Sequence, residues 1–152
     1  MAFMRAEDAI SGKQGRAFAN INGENHEMFY VKELEATIEK KKTEVPVLGH
    51  SGTQHKAGGW SGTGTMTIYY VTSMFRRMML EYAKYGRDTY FDIIVENDDP
   101  SSLVGRQTTI LKGVNLDSVT IAKLDVESEA LDEPVSFTFN DIDMPEEFYR
   151  AY

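Results

Sequence analysis

From Glu33 to Glu39 the chain alternates strictly, with Leu34, Ala36 and Ile38 on one face and Glu33, Glu35, Thr37 and Glu39 on the other. That period of two predicts a strand with one wetted side. A strand covering all of Met28 to Lys42 would span about 50 Å at about 3.3 Å per residue, about three times the usual length. It must either bend at a bulge or run into a neighbour. A second alternation follows over Thr63 to Val71, with Thr63, Thr65, Thr67 and Tyr69 on one face and Gly64, Met66, Ile68 and Tyr70 on the other. The two strands are expected to pair, with Val45 to Gly62 as an extended hairpin loop. Ahead of them, GRAFANING (Gly15 to Gly23) reads as a short strand ending in Asn22-Gly23, a strong hairpin signal.

The period then changes. TSMFRRMMLEYAKYG places Phe75, Met78, Met79, Tyr82 and Ala83 on one helical face, with Arg76, Arg77, Glu81 and Lys84 mostly opposite. Thr72 or Ser73 is suited to the N-cap and Gly86 to a left-handed C-cap, which predicts one helix over about residues 73–85. Beyond it TYFDIIVEN, RQTTILKGVNL, SVTIAKLDV and PVSFTFNDI alternate and are separated by turn residues, as in a sandwich or small barrel. DMPEEFYRAY reads as a strand-free tail. With no repeat or linker, one domain over residues 1–152 is expected, with an N-terminal arm (1–14), an extended loop (about 44–62) and a C-terminal tail (144–152).

Composition narrows the function. The chain has 152 residues and a net charge of −8, carried entirely by its second half. Residues 1–76 hold 9 basic and 8 acidic side chains, residues 77–152 hold 7 and 16. Such a balance repels nucleic acid, because phosphate binding needs clustered Lys and Arg, and Lys40-Lys41-Lys42 is too short for a groove. Cysteine is absent, which excludes disulfides, thiolate metal sites and cysteine nucleophiles and fits a reducing cytoplasm. No apolar run approaches the ~18 residues of a membrane span, and MAFMRAEDAI lacks the apolar core of a secretory peptide.

The stretch LGHSGTQHKAGGWSGTGT (Leu48 to Thr65) concentrates candidate chemistry: six of the twelve glycines, two of three histidines and the only tryptophan. A phosphate loop needs a helix directly after its glycines, whereas here a strand follows and the Walker Lys-Ser/Thr is missing. His50 and His55, with Glu44 nearby, have spacing unlike a compact metal fork. Asp98-Asp99 and Asp141-x-Asp143 lack the spaced ligands of a calcium loop. All three histidines lie in the first third without a nucleophile beside them, and His26, just past the hairpin turn, is expected to face water. Neither an enzyme nor a cofactor is indicated.

AISGKQGRAF, LEATIEKKKTEVPVLG, HKAGGWSGTGTMTIYYVTSMF and SVTIAKLDVESEALDEPVSFTFNDIDMPEEF together resemble the tail-tube proteins of contractile-tailed phages. That group includes proteins of defective prophages and of phage-tail-like bacteriocins from Gram-positive bacteria. The order K-x-EV, HK, G-x-x-GTGT, VTS-x-F and then LDV-x-SEALDE and FTF carries the resemblance over nearly the whole chain; Tyr85 to Gly113 matches least distinctly. It implies a mainly β fold, an antiparallel β-barrel or sandwich of the phage tail-tube type with one flanking helix. It also implies hexameric rings stacked into a tube inside a sheath, with no cofactor and no catalytic residue.

The implied partners are other copies of the chain, the tail sheath protein, and baseplate and tail-terminator proteins. DNA would pass without specific binding, and no membrane anchoring is expected. The implied location is a virion or tail-like particle assembled in the bacterial cytoplasm. On this reading Glu33, Glu35, Glu39, Thr65 and Thr67 face the lumen, where carboxylates repel phosphates within about 8 Å. Arg76, Arg77 and Lys84 on the helix are available to the sheath. Glu44, His50, His55, Lys56 and Trp60 form the inter-subunit contact of an arm that is mobile until it docks. The alternatives are a secreted ring-forming protein of the type VI secretion kind and, in another class, a monomeric β-barrel binding a small ligand.

Overall fold

The computed structural model describes residues 6–8 and 11–149. A single 3-10 turn at Ala6–Asp8 precedes eight strands and one helix. The strands are β1 (Gly15–Ile21), β2 (Glu24–Glu27), β3 (Val31–Val45), β4 (Gln54–Tyr69), β5 (Phe91–Asp98), β6 (Arg106–Val119), β7 (Asp132–Phe139) and β8 (Asp141–Glu146); α1 spans Met74–Tyr85. Every strand pairing is antiparallel, in the order β2-β1-β5-β6-β7-β4-β3, with β8 also on β6.

The β1–β2 turn is the expected Asn22-Gly23 pair, with φ of 53° and 83°, the two positive values that a type I′ hairpin requires. The long strand expected from Met28 begins three residues later and runs unbroken for 15 residues. Met28 and Tyr30 turn into the core while Phe29 between them is exposed, so β2 ends at Glu27 and β3 starts at Val31.

β6 joins the two halves of the structure. Its first part pairs with β5 and β8, and its last part, Asn115 to Val119, pairs with β7. The bend falls at Gly113, whose φ is 66°. Beside it Asn140 separates β7 from β8 and donates its N–H to the Lys112 carbonyl at 2.9 Å. A Cβ on Gly113 would lie 2.6 Å from Asn140 Nδ2, so the two strands turn this corner together and only glycine fits. Between the sheets lies a core built around Met66, Ile68, Ile93, Leu111, Val114, Val135 and Phe137, with Phe75 of α1 closing one end.

Three sequence expectations are corrected here. The loop placed at 44–62 is mostly strand: β3 and β4 pair as far as Val45↔Gln54, leaving only residues 46–53 as loop. SVTIAKLDV does not form a strand beyond Val119, and residues 120–131 run as loop. β4 and β6 already occupy both edges of β7, so this β-prone segment finds no ladder. The tail expected to be strand-free begins inside β8, which prolongs the course of β7 along β6. The expected helix is present, with Gly86 in the left-handed conformation (φ 69°) and its N–H bonded to the Tyr82 carbonyl. Ser73 occupies the N-cap without a side-chain bond, and Thr72 Oγ1 accepts the Met74 N–H instead.

Candidate functional site

The glycines of GGWSGTGT perform two different jobs. Gly62 and Gly64 are buried in β4 directly opposite Phe139 and Phe137 of β7. The phenyl rings lie where Cβ atoms would be, an aromatic covering of glycine that pins the register. Gly58 and Gly59 lie where the β3–β4 ladder slips by one residue, between Lys40↔Trp60 and Lys42↔Ala57. β4 carries the extra residue, and Gly59 takes a φ of 119°, so the pair forms a β-bulge that bends the strand.

Beyond that bulge the hairpin leaves the body. The β4–β7 ladder ends at Gly62↔Phe139; from Lys40 and Trp60 outward only two strands continue. Six residues, Lys40 to Val45, extend it by about 20 Å. Every residue from Glu35 to Val45 and from Gln54 to Trp60 is exposed. The tip is shaped locally. His50 N–H donates to the Val47 carbonyl at 3.3 Å, with Gly49 left-handed (φ 79°) as the third residue of a type II turn needs. The Gly52 N–H donates to His50 Nδ1 at 3.1 Å. This turn holds Leu48 at the apex, fully exposed, just after Val45 and Val47, which are also exposed.

Of the residues expected to form one inter-subunit contact, Glu44, His55 and Lys56 lie together on the arm, His50 at its tip and Trp60 at its root. Glu44 and His55 face each other across the ladder, Lys56 pairs with Thr43, and His50 is bound into the tip. Trp60 lies at the root of the arm, its ring 6.2 Å from that of Phe139. Its ring touches the core at that point and is 39% exposed.

The residues assigned to the wet face do share one. Glu33↔Thr67, Glu35↔Thr65, Thr37↔Thr63 and Glu39↔Ser61 are register pairs, opposite in pleat to the buried Met66 and Ile68. The face continues sideways through Thr65↔Ser136 and Thr63↔Thr138 into β7, and through Thr138↔Asn115 into β6. Asp117 joins Glu35, Thr37, Thr63 and Thr65 around a shallow cleft. None of these positions holds Lys or Arg, so four strands present a surface of hydroxyls and carboxylates. Ser136, Thr138 and Asp117 were not expected there, although the alternation of PVSFTF already set Ser136 and Thr138 opposite the phenylalanines.

Arg76 is a correction. It does not face outward: its Nη1 lies 2.5 Å from Glu133 Oε2, and the two side chains are 15% and 1% exposed. Its guanidinium also stacks 4.2 Å from the Tyr70 ring centroid and donates to the Thr72 carbonyl. Helical period assigns a direction to the Cβ, but a long guanidinium can curl back towards a buried carboxylate. Glu133 Oε1 has no hydrogen-bond partner among the described residues. Burial pushes this carboxyl above its usual range, against the pull of Arg76 and Lys123. Arg77 and Lys84 remain on the exposed side of α1.

Among the described residues no group of three or more His, Asp or Glu is placed to hold a metal, and no helix is long and apolar enough to cross a membrane. Asp99 is an internal clasp. Its carboxylate accepts the Ser11 N–H at 2.9 Å and the Ser101 N–H and hydroxyl at 3.0 and 2.7 Å. Those bonds, Ser101 hydroxyl first, hold its carboxyl below the usual range.

Comparison with known proteins bears on this geometry. A family model described as "Phage tail tube protein" matches residues 2–146. The phage-like element PBSX protein XkdM of Bacillus subtilis strain 168 is 49% identical over 149 residues, covering 98% of this chain and 99% of that protein. Two solved structures share the fold at low identity. The cap of the anti-feeding prophage has a TM-score of 0.69 at 10% identity, covering 97% of this chain and 95% of its own. The extended sheath–tube complex of the PVC extracellular contractile injection system has a TM-score of 0.65 at 14%, covering 91% and 93%.

Proposed function

This chain belongs to the phage tail tube protein family, and from that premise we propose that it is the repeating subunit of a hexameric ring, stacked into the inner tube of a contractile phage tail or phage-tail-like particle. The observation that carries the proposal is the free outer edge of β3. Among the described residues this 15-residue strand pairs only with β4. An edge of that length is a template for another chain unless it is covered, and a neighbour in a ring covers it through a head-to-tail contact that closes.

With the edges joined, the hydroxyl and carboxylate face of β3, β4, β7 and β6 lines the lumen. Glu33, Glu35, Glu39, Thr65 and Thr67 lie on it, with Ser136, Thr138 and Asp117 beside them. The carboxylates on this face repel a phosphate backbone, so DNA passes without being held. Arg77 and Lys84 on α1 meet the sheath, and baseplate and terminator proteins cap the tube ends. The subunit is structural, carries out no catalysis, and is assembled in the bacterial cytoplasm. A ligand-binding barrel would need a concave chamber, whereas the space between the sheets is filled by Phe75, Phe137, Met66 and Ile68.

Electron microscopy of the concentrated protein, alone and with baseplate nuclei, tests the proposal. Rings or tubes are expected; a protein that remains monomeric under both conditions overturns it.

A further inference from the structure

From Glu33 to Thr43 the acids and bases of β3 are segregated. Glu33, Glu35 and Glu39 come first, and Lys40, Lys41 and Lys42 follow. The outer edge of the strand has no partner among the described residues. Neither Glu35 nor Lys41 is in an ion pair among them. A strand whose halves carry opposite charge is complementary to itself when turned end for end.

One register satisfies that complementarity. A two-fold axis through Ile38 sets two copies of β3 antiparallel, with their hydroxyl and carboxylate faces on the same side of a joint sheet. Glu35 then lies opposite Lys41 twice, once on each side of the axis. Glu33 meets Thr43, and Thr37 meets Glu39. On the other face Ile38, 42% exposed, meets its own copy, while the stems of Lys40 and Lys42 lie over Ala36 and Leu34. Sliding by two residues sets Glu35 opposite Glu39 in one direction and Glu39 opposite itself in the other. Directly opposed like charges are unfavourable, so charge selects the first register. That register also carries the partner's Val47 and Leu48 past Val31 towards Phe29, which is 83% exposed.

We propose that the free subunit pairs with a second copy of this chain, β3 edge to β3 edge, in this register. The outer ribbon, marginal in water as two strands, then lies against the partner's β3. A two-fold contact is isologous and closed, so it stops at a dimer. It covers the edge that would otherwise template another chain, and so holds the subunit back from ring formation until the pair opens. The pairing rests on β3 alone; its restraining role rests on the tube reading above.

Sedimentation of the concentrated protein before any tubes form tests the pairing. Wild type is expected to run as a dimer, at twice 17.2 kDa. Glu35→Lys alone, or Lys41→Glu alone, should give monomer at an unchanged melting temperature, and the two together in one chain should restore the dimer. The chain has no cysteine, so oxidised Ile38→Cys protein should be linked across the axis. Ala36→Cys, displaced from its own counterpart by about 13 Å along the strands, should not be. The linked Ile38→Cys dimer should stay out of tubes and enter them once reduced. A monomeric wild type with no Ile38→Cys link overturns the dimer and leaves the tube reading standing. Linked dimers that enter tubes as readily as reduced chains overturn the restraining role. A wild type that dimerises but makes no rings or tubes even with baseplate nuclei overturns the tube reading and leaves the pairing standing.

Discussion

Gly64 lies directly opposite Phe137 in the β4–β7 ladder, and the phenyl ring occupies the space a side chain on Gly64 would need. Gly62 and Phe139 repeat the arrangement two residues along. Each pair exchanges a side chain on one strand for a large ring on the next, filling the core without a void. Gly64→Ala should therefore destabilise the subunit by about 1–3 kcal/mol, the usual cost of overpacking. Phe137→Leu in the same chain should recover part of that loss. Urea midpoints of the three proteins check it; an unchanged midpoint for Gly64→Ala would refute the packing role.

Arg76 and Glu133 are expected to behave as a buried pair. Arg76→Met leaves an unpaired buried carboxylate and should cost about 3–5 kcal/mol, whereas replacing both residues by apolar ones should cost much less. Equilibrium unfolding of the single and double variants measures the difference.

The same carboxyl gives a pH dependence. Burial raises the folded pKa of Glu133 above its ordinary value of 4.5, so its contribution to stability is fully present below the unfolded value and lost as pH rises through the folded one. The stability of the wild type relative to Glu133→Gln should fall as pH rises above about 4.5. A difference that is flat with pH would refute the assignment.

Asp99 should show the opposite sign. Its hydrogen bonds from Ser101 and Ser11 lower the folded pKa, so its contribution is present above the unfolded value and lost as pH falls through the folded one. Between about pH 5 and pH 2 the wild type should lose stability more steeply than Asp99→Asn. Amide protection factors at Ser11 and Ser101, corrected for the intrinsic pH dependence of exchange, should fall over the same range.

Shortening the arm separates folding from assembly. Replacing residues 43–56 by Asn-Gly removes only exposed residues beyond the Lys42↔Ala57 pair. The melting temperature should stay within a few degrees of the wild type, since surface changes usually cost under about 0.5 kcal/mol, while tubes are lost. Light scattering and calorimetry on one preparation check both halves of the expectation.

Much of this architecture is legible along the chain. The alternation of Leu34, Ala36 and Ile38 against Glu33, Glu35 and Glu39 set the face of β3, and Asn22-Gly23 and Gly86 marked a hairpin and a helix end. Each is a local property, settled by the pleat or by a φ that few residues adopt. GGWSGTGT could not be read in this way. Glycine reports only that the backbone is free or crowded, and which of these holds depends on what lies opposite. Phe137 and Phe139 are more than 70 positions away, so only the ladder shows that two of the glycines are packing surfaces and two are a bulge.

Arg76 and the 120–131 loop teach the same lesson from the other side. Helical period assigned Arg76 to solvent because it counts angles and not reach; the carboxylate that draws it inward comes from β7. SVTIAKLDV has the composition of a strand, but a strand needs a free edge, and both edges of β7 were taken. The sequence by itself determined the periods, the turns and the facing of each strand, because those follow from covalent geometry and the burial of apolar side chains. Only the tertiary structure decided which edges stay open, which glycines are covered and which charges are left unpaired, because those depend on residues distant in the chain.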